Sequence, residues 1–401
     1  MTAASGRGPL DGTRIVTFAP LYQGPYATML LADLGADVIV VERPGTGDPA
    51  RAQGAMFDAL NRGKRSVTLD LKRPGDQEAA LRLAGTADVL FESYRPGTME
   101  RFGLGYPRLS AFNPGLVYVS ISGFGQAGPY RDRPGHDLMF QAVAGLLDGL
   151  CDRPEAVIPP PDLEAGAVVG ALYAALGALA GLLGRATTGR GTHVDMSTHE
   201  ALLAILTLRL EPVLNGGSVA APGREPGYGI YRCADGLPLA LGIGFEDHFW
   251  TTLCRATGLT GHAELRQAER LTRSEELVAD LAAVLATRPR AYWQETFDRV
   301  GVPASPVHRL REALADPQVV ARGTVGDLAD GGGRYVRQPL RLSGYETPAP
   351  APAPHLGAHN ALIPGQAPAP ASASAGLSAP APEGRALPPT TTIDPPGVTA
   401  S

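Results

Sequence analysis

Through its first two hundred residues the chain alternates short, unbroken apolar runs with stretches whose apolar positions recur every three or four residues. "TRIVTF", residues 13–18, has the pattern of a short buried strand. "GPYATMLLADLGA" after it is helical and closes at Gly35, and "DVIVVER" is a second strand. The rhythm then repeats: "SVTLDL" reads as strand, "GDQEAALRLAGTA" as helix, "DVLFES" as strand, "RLSAFNP" as a short helix and "LVYVSIS" as strand. Strands alternating with helices predict a parallel α/β sheet with right-handed crossovers. "THVDMSTHEALLAIL" adds one more strand that runs into a helix.

One segment is apolar throughout. "AGAVVGALYAALGALAGLLG", residues 165–184, is long enough to span a bilayer, but its Ala and Gly content suits close packing against other elements. It is read as a buried central helix, and no membrane span is expected. Around residues 212–228 the chain becomes a Gly/Pro-rich connector. Beyond it "GIYRCADGLPLALGI" predicts a hairpin turning at Asp235-Gly236, followed by helices near 246–256, 273–287 and 290–300. The predicted organisation is a large α/β domain over 1–211, a linker over 212–228 and a smaller α+β domain over 229–315. A return to the large domain follows over 316–346, then a Pro/Ala-rich tail over 347–401.

A chain of 401 residues is long enough for about two such domains. The net charge of −5 leaves no basic footprint for nucleic acid. Three cysteines with no CxxC pair argue against disulfides and a structural zinc site, and no metal is expected. The small, polar start of the chain has no apolar signal core, so a cytoplasmic location is expected.

Two motifs carry candidate chemistry. "RPGHDLMFQAVAGL", residues 133–146, places His136 beside Asp137 where a helix begins, with Leu138, Phe140, Ala142 and Leu146 as the predicted core face. "GFGQAGP", residues 123–129, follows a strand and matches GxGxxG, but Pro129 and a loop come next instead of a helix. It reads as a loop whose backbone, at Gly123 and Gly125, approaches a ligand.

Taken in order, "GPYATMLLADLGADVIVVERPGTGD", "NRGKRSVTLDL", "ADVLFESYRPGTMERFGLGY", "ISGFGQAGPYRDRPGHD", "TGRGTHVDMSTHEA", "YRCADG" and "GVPASPV" resemble the family III CoA-transferase superfamily (CaiB/BaiF). The resemblance covers roughly residues 10–345, and the superfamily includes the α-methylacyl-CoA racemases. It implies a Rossmann-like large domain with a small domain, assembled as a homodimer of interlocked rings. It also implies an acyl-CoA substrate and no cofactor beyond the coenzyme A thioester. The phosphates of that thioester need cations and free amides, for which Arg43, Arg62, Lys64, Arg65 and Arg95 are the candidates.

By this resemblance Asp137 occupies the position of the transferase nucleophile, while His136 and Asp162 match the racemase acid–base pair and Glu246 the group that orients the imidazole. Two-base proton transfer at an α-carbon needs a donor and an acceptor on opposite faces, and His136 is the rarer residue at its position. The leading expectation is therefore an isomerase acting on a 2-methylacyl-type thioester, with a CoA-transferase using Asp137 as the alternative. Three positions depart from the family pattern. Val40 stands where a cation is usual, Tyr22 is bulky, and Glu164 adds a carboxylate near Asp162. The missing cation at residue 40 extends the expected acyl carriers from CoA to a carrier protein.

Overall fold

Every short apolar run read as a strand in the first half is one in the computed structural model, which describes residues 8–150, 162–217 and 225–365. The strands are β1 (Arg14–Thr17), β2 (Asp37–Glu42), β3 (Arg65–Thr68), β4 (Val89–Glu92), β5 (Val117–Ser122) and β6 (His193–Ser197). They form one parallel sheet in the order β3-β2-β1-β4-β5-β6. Both faces are covered, so neighbouring residues of one strand enter different cores. Val16, Ile39 and Leu90 pack with Leu83, Leu109 and Tyr118 on one face. Ile15, Val38 and Val89 pack with Ala27, Leu31 and Ala174 on the other.

The crossovers supply α1 (Gln23–Ala32), α2 (Ala55–Asn61), α3 (Pro74–Gly85), α4 (Thr98–Arg101) and α5 (Tyr106–Phe112). Between β5 and β6 lie α6 (Asp137–Val143) and α7 (Ala165–Thr188), and α8 (Thr198–Ile205) follows β6 directly. The long apolar segment is α7. Its buried stripe is made of small residues, among them Gly170, Ala171, Ala174, Ala178 and Gly181. A Cβ on Gly181 would lie 2.6 Å from the Val117 side chain, so the helix seats on β5 because that face has almost no side chain. Leu172, Tyr173, Leu176 and Leu183, on its other face, are exposed.

The chain steps outward from β1 to β3 and then returns to place β4 on the other side of β1. Loops leaving β1 and β4 therefore diverge, and the crevice between them at the carboxyl ends of the strands is where open α/β sheets bind ligands.

A second, three-stranded antiparallel sheet contains β7 (Tyr228–Arg232), β8 (Pro238–Gly242) and β9 (Ala304–Pro306). The hairpin turns at Asp235-Gly236, with Gly236 at φ +73°. Helices over 247–257, 274–285 and 290–300 pack Trp250, Leu281, Leu285, Trp293 and Phe297 against it as a separate core. Of the predicted linker 212–228, residues 218–224 lie outside the described residues.

The segment from 347 is not a tail as far as Gly365. β3 is an edge strand, and residues 351–363 run along it. His359 exchanges bonds with Ser66, its N–H donating to the Ser66 carbonyl (2.8 Å) and its Nδ1 accepting from the Ser66 N–H (3.2 Å). The Asn360 side chain accepts from Thr68 N–H (2.8 Å), and Ile363 enters the sheet's core. Prolines cannot form a regular ladder, so side chains stand in for backbone and protect the edge. The remainder of the predicted tail, from 366, lies outside the described residues.

Candidate active site

Five segments meet at the carboxyl edge of the sheet around Asp137, which one side chain and one backbone N–H bond directly. His136 is the residue before α6; its backbone is extended and its side chain makes no capping bond. Asp137, the first residue of α6, turns inward. Its Oδ1 accepts the Ala167 N–H at 2.6 Å and its Oδ2 accepts a short bond from Gln141 Nε2. Gln141 is four residues on, hence one turn along the same face. Its Nε2 also donates to the Leu163 carbonyl at 3.1 Å.

The start of α7 is held from the other side by Gln23, the first residue of α1. Gln23 Nε2 donates to the Gly166 carbonyl (3.2 Å) and to Thr198 Oγ1 (2.9 Å). Thr198 Oγ1 in turn donates to the Ser122 carbonyl at 3.1 Å. The network thus ties β5, α8, α1 and α7 around one carboxylate. Gly166 is the close-approach point: a Cβ there would stand 2.7 Å from Asp137 Oδ1 and 3.0 Å from the Thr198 methyl.

The crevice wall after β1 carries backbone strain. Leu21 has φ +71°, the left-handed region that an L side chain rarely adopts. Its N–H is clamped by both carboxylate oxygens of Asp48, each at 3.1 Å. Asp48 is buried, and its N–H donates to Glu42 Oε2 (2.9 Å). Burial pushes Glu42 up, but bonds from Arg51, Ser66 and the Asp48 N–H outweigh it and hold the carboxyl below its usual range.

Glu92, at the end of β4, is the opposite case. It is buried at 4% exposure, and desolvation outweighs the bonds from Ser120 and Tyr94 N–H, raising it from 4.5 to about 7. The folded state binds this proton more tightly than the unfolded chain. Its stability contribution is therefore complete below pH 4.5 and declines as pH rises through about 7. Glu92→Gln keeps the shape and removes the charge. It should flatten the decline by up to about 3 kcal/mol, read as urea midpoints at about pH 5 and about pH 8.

The other predicted site residues are placed as follows. His136 and Asp162 are both exposed, and Glu246 accepts the N–H of Gly244 in its own loop at 3.0 Å. Among the described residues no hydrogen bond or ion pair joins these three. Pro159, Pro160 and Pro161, which precede Asp162, lie outside the described residues. Gly125 has φ +86° and its N–H donates to Ser122 Oγ (2.9 Å), while the Gly123 carbonyl accepts the His199 N–H (3.0 Å). The Gly125 amide is thus used inside the loop.

The candidate cations divide by strand end. Arg43 follows β2 and Arg95 follows β4; both are exposed, and among the described residues neither forms an ion pair. Arg62 and Lys64 precede β3 and Arg65 is its first residue, so all three lie at the amino edge of the sheet and not at the crevice where they were expected. Arg62 is buried against Asp33 (2.6 Å) and stacks over Tyr335. Lys64 is buried with its Nζ on Pro25 O, Thr28 Oγ1 and Asn61 Oδ1, and burial lowers its pKa well below the usual lysine value. Arg65 pairs with Asp37 at 3.1 Å. Gln23, Gln141, Gly166 and Thr198 were not anticipated from the sequence. Only the Asp137/Gln141 spacing of four could have pointed to one of them.

The model for "CoA-transferase family III" matches residues 10–360. The acetyl-CoA:oxalate CoA-transferase of Acetobacter aceti is 33% identical over 382 residues, covering 90% of this chain and 96% of its own. The succinyl-CoA–D-citramalate CoA-transferase of Chloroflexus aurantiacus is 35% identical over 378 residues, covering 88% and 93%. Among solved structures, a CaiB/BaiF family protein from Brucella suis superposes with a TM-score of 0.79 at 32% identity, over 89% of this chain and 98% of that one. A hypothetical protein from Mycobacterium tuberculosis does so with a TM-score of 0.81 at 31% identity, over 90% and 100%. The two curated relatives are named as transferases, which supports the transferase alternative and not the isomerase expectation. With the match running from the first strand to the edge-covering segment, the chain belongs to CoA-transferase family III and is an enzyme of that type.

Proposed function

We propose that the chain moves coenzyme A from an acyl-CoA to a free carboxylic acid, with Asp137 as the nucleophile that carries the acyl group. The observation that carries this reading is the inward Asp137 carboxylate, held by Ala167 N–H and Gln141 at the ligand-binding edge of the sheet while His136 faces outward.

An Asp137 oxygen attacks the thioester carbonyl, the C–S bond breaks and CoA leaves as thiolate, giving a mixed anhydride. The thiolate then attacks the Asp137 carbonyl and releases the donor acid as a carboxylate, leaving an aspartyl–CoA thioester. An acceptor carboxylate attacks that thioester, and the returning thiolate takes the new acyl group and frees Asp137. Every nucleophile in the sequence is an anion, so no general base is required, and the exposed positions of His136 and Asp162 are consistent with that. The amino end of α7, a helix of 24 residues, stabilises Asp137 each time it departs as a carboxylate. Each carboxylate oxygen keeps a lone pair free of its hydrogen bond for attack.

Arg43 and Arg95, on loops at the same edge, are the proposed contacts for the CoA phosphates. A second copy of the chain is the proposed cover for the apolar residues left exposed on α6 (Leu138, Met139, Val143) and α7 (Leu172, Tyr173, Leu176).

The test is to incubate the enzyme with acyl-CoA and no acceptor, then add hydroxylamine. The expected result is a hydroxamate at Asp137 in peptide mass spectra, and no α-deuterium in acyl-CoA recovered from D₂O. Deuterium at the α-carbon without a hydroxamate would establish the isomerase reaction instead.

A further inference from the structure

The segment that covers β3 does more than close an edge. His359 and Asn360 pair with the backbone of β3, whereas residues 354 and 357 reach side chains. The Gly357 N–H donates to Ser66 Oγ at 2.9 Å, and the Pro354 carbonyl accepts from Arg51 Nη2 at 3.0 Å. Ser66 and Arg51 both turn to one group, the buried Glu42 carboxylate at the end of β2. Ser66 Oγ donates to Glu42 Oε1 at 2.6 Å. Arg51 grips both oxygens, with Nη2 on Oε1 and Nε on Oε2, each at 2.7 Å.

The fourth bond to Glu42 leads to the ligand edge. Glu42 Oε2 accepts the Asp48 N–H at 2.9 Å, and Asp48 clamps the Leu21 N–H with both of its oxygens. The intervening loop is closed by the Gly47 N–H on the Arg43 carbonyl at 2.9 Å. Glu42 therefore fixes two crevice elements at once: the 43–48 loop, which carries Arg43, and the strained turn at Leu21. A left-handed L residue relaxes unless its surroundings hold it, and a carboxylate with four bonds is a rigid support. Pro354 and Gly357 secure the outer end of that support from 303 and 291 residues further along the chain. Edge cover needs only the backbone of β3, so the bonds to Arg51 and Ser66 Oγ serve something else.

Building on Arg43 as a contact for the CoA phosphates, and whichever residue carries the acyl group, we infer that residues 354–357 position the acyl-CoA site. Through Ser66, Arg51 and Glu42 they hold the 43–48 loop and the Leu21 turn in the shape that receives CoA. Without Ser66 Oγ or the Arg51 fork, Asp48 is free to shift and Leu21 relaxes towards negative φ. Arg43 then no longer stands where the phosphates arrive.

Calorimetric titration of the full-length enzyme with free CoA, run beside thermal melts, is the test. Ser66→Ala and Arg51→Lys should each weaken CoA at least about fivefold, since the lysine keeps the charge but cannot replace the planar fork. Asn360→Ala removes the bonds to Thr68 without touching Glu42. It should lower the melting temperature by a few degrees and leave CoA affinity unchanged. Asp48→Asn should also weaken CoA, and adding Ser66→Ala to it should cost nothing more, because both act along one path. Unchanged affinity in Ser66→Ala and Arg51→Lys, or losses that add to that of Asp48→Asn, overturns the inference. So does an Asn360→Ala variant that weakens CoA equally, since the effect would then be general loosening of the fold. Arg43→Ala tests the contact itself. If it alone weakens CoA, only the positioning claim falls; if no variant does, both fall.

Discussion

Asp137→Asn should abolish transfer while leaving the fold intact. The substitution preserves size and still offers an oxygen to the Ala167 N–H, which binds Oδ1 at 2.6 Å in the native site. The new amide nitrogen would face Gln141 Nε2; Gln141 can rotate its own amide to accept from it, giving up its bond to the Leu163 carbonyl at a cost of about 1 kcal/mol. What the variant loses is the anionic nucleophile. A covalent route without its nucleophile falls by several orders of magnitude, so kcat should drop more than about a thousandfold with little change in melting temperature. His136→Ala is the matched control. His136 is exposed and caps α6 only through its backbone, so most of the activity should remain. If His136→Ala were the inactive variant and Asp137→Asn the active one, the covalent route would be wrong.

Gly166→Ala should separate stability from activity. On propensity alone alanine favours a helix by about 1 kcal/mol over glycine. At this position the added methyl would stand 2.7 Å from Asp137 Oδ1, 3.0 Å from the Thr198 methyl and 3.2 Å from Leu202 Cδ1. Thr198 is fully buried and bonded to Gln23 and to the Ser122 carbonyl, so it has little room to yield. The carboxylate is the movable group. Displacing a reacting atom by about an ångström costs on the order of a hundredfold, so kcat/KM should fall by about that factor. The melting temperature should shift by only a few degrees, because the gain in propensity offsets part of the overlap. Wild-type kcat/KM would show that Asp137 does not react from the position it occupies here.

The strands of the parallel sheet, the hairpin and most helices were legible because their signals are local, whereas the three-residue strand at Ala304–Pro306 was not read. Ile15 and Val16, or Val38 and Ile39, are apolar on both faces, as a covered parallel strand requires. The helix at Ala55–Asn61 was missed: seven residues after Gly54 give too little periodicity to detect. α6 was read with the wrong face inward. Leu138 and Met139 are exposed while Gln141 is buried, because Asp137 and Gln141 answer to donors and acceptors at the start of α7, which no local pattern reports. "NRGKRS" read as a phosphate loop because a sequence shows cations and not their partners. The groups that occupy Arg62 and Lys64 are Asp33 and the Pro25 carbonyl, 29 and 39 residues earlier. Composition likewise marked residues from 347 as tail, since the need to cover β3 is a property of the assembled sheet.

The connectivity of the Asp137 network bears on how the enzyme is made. Gln23 and Thr198 are 175 residues apart, Gln23 and Gly166 are 143 apart, and Thr198 reaches back 76 residues to Ser122. No fragment that ends before Thr198 can complete the cradle. On the ribosome the first strand and helix must wait for that length of chain, and the edge of β3 waits longer still, for a partner 293 residues on. Non-local closures of this kind are slow, because loop entropy is lost before contacts repay it. Secondary structure should therefore recover early in refolding and catalytic competence late, which makes enzyme activity a reporter of the last contacts to form.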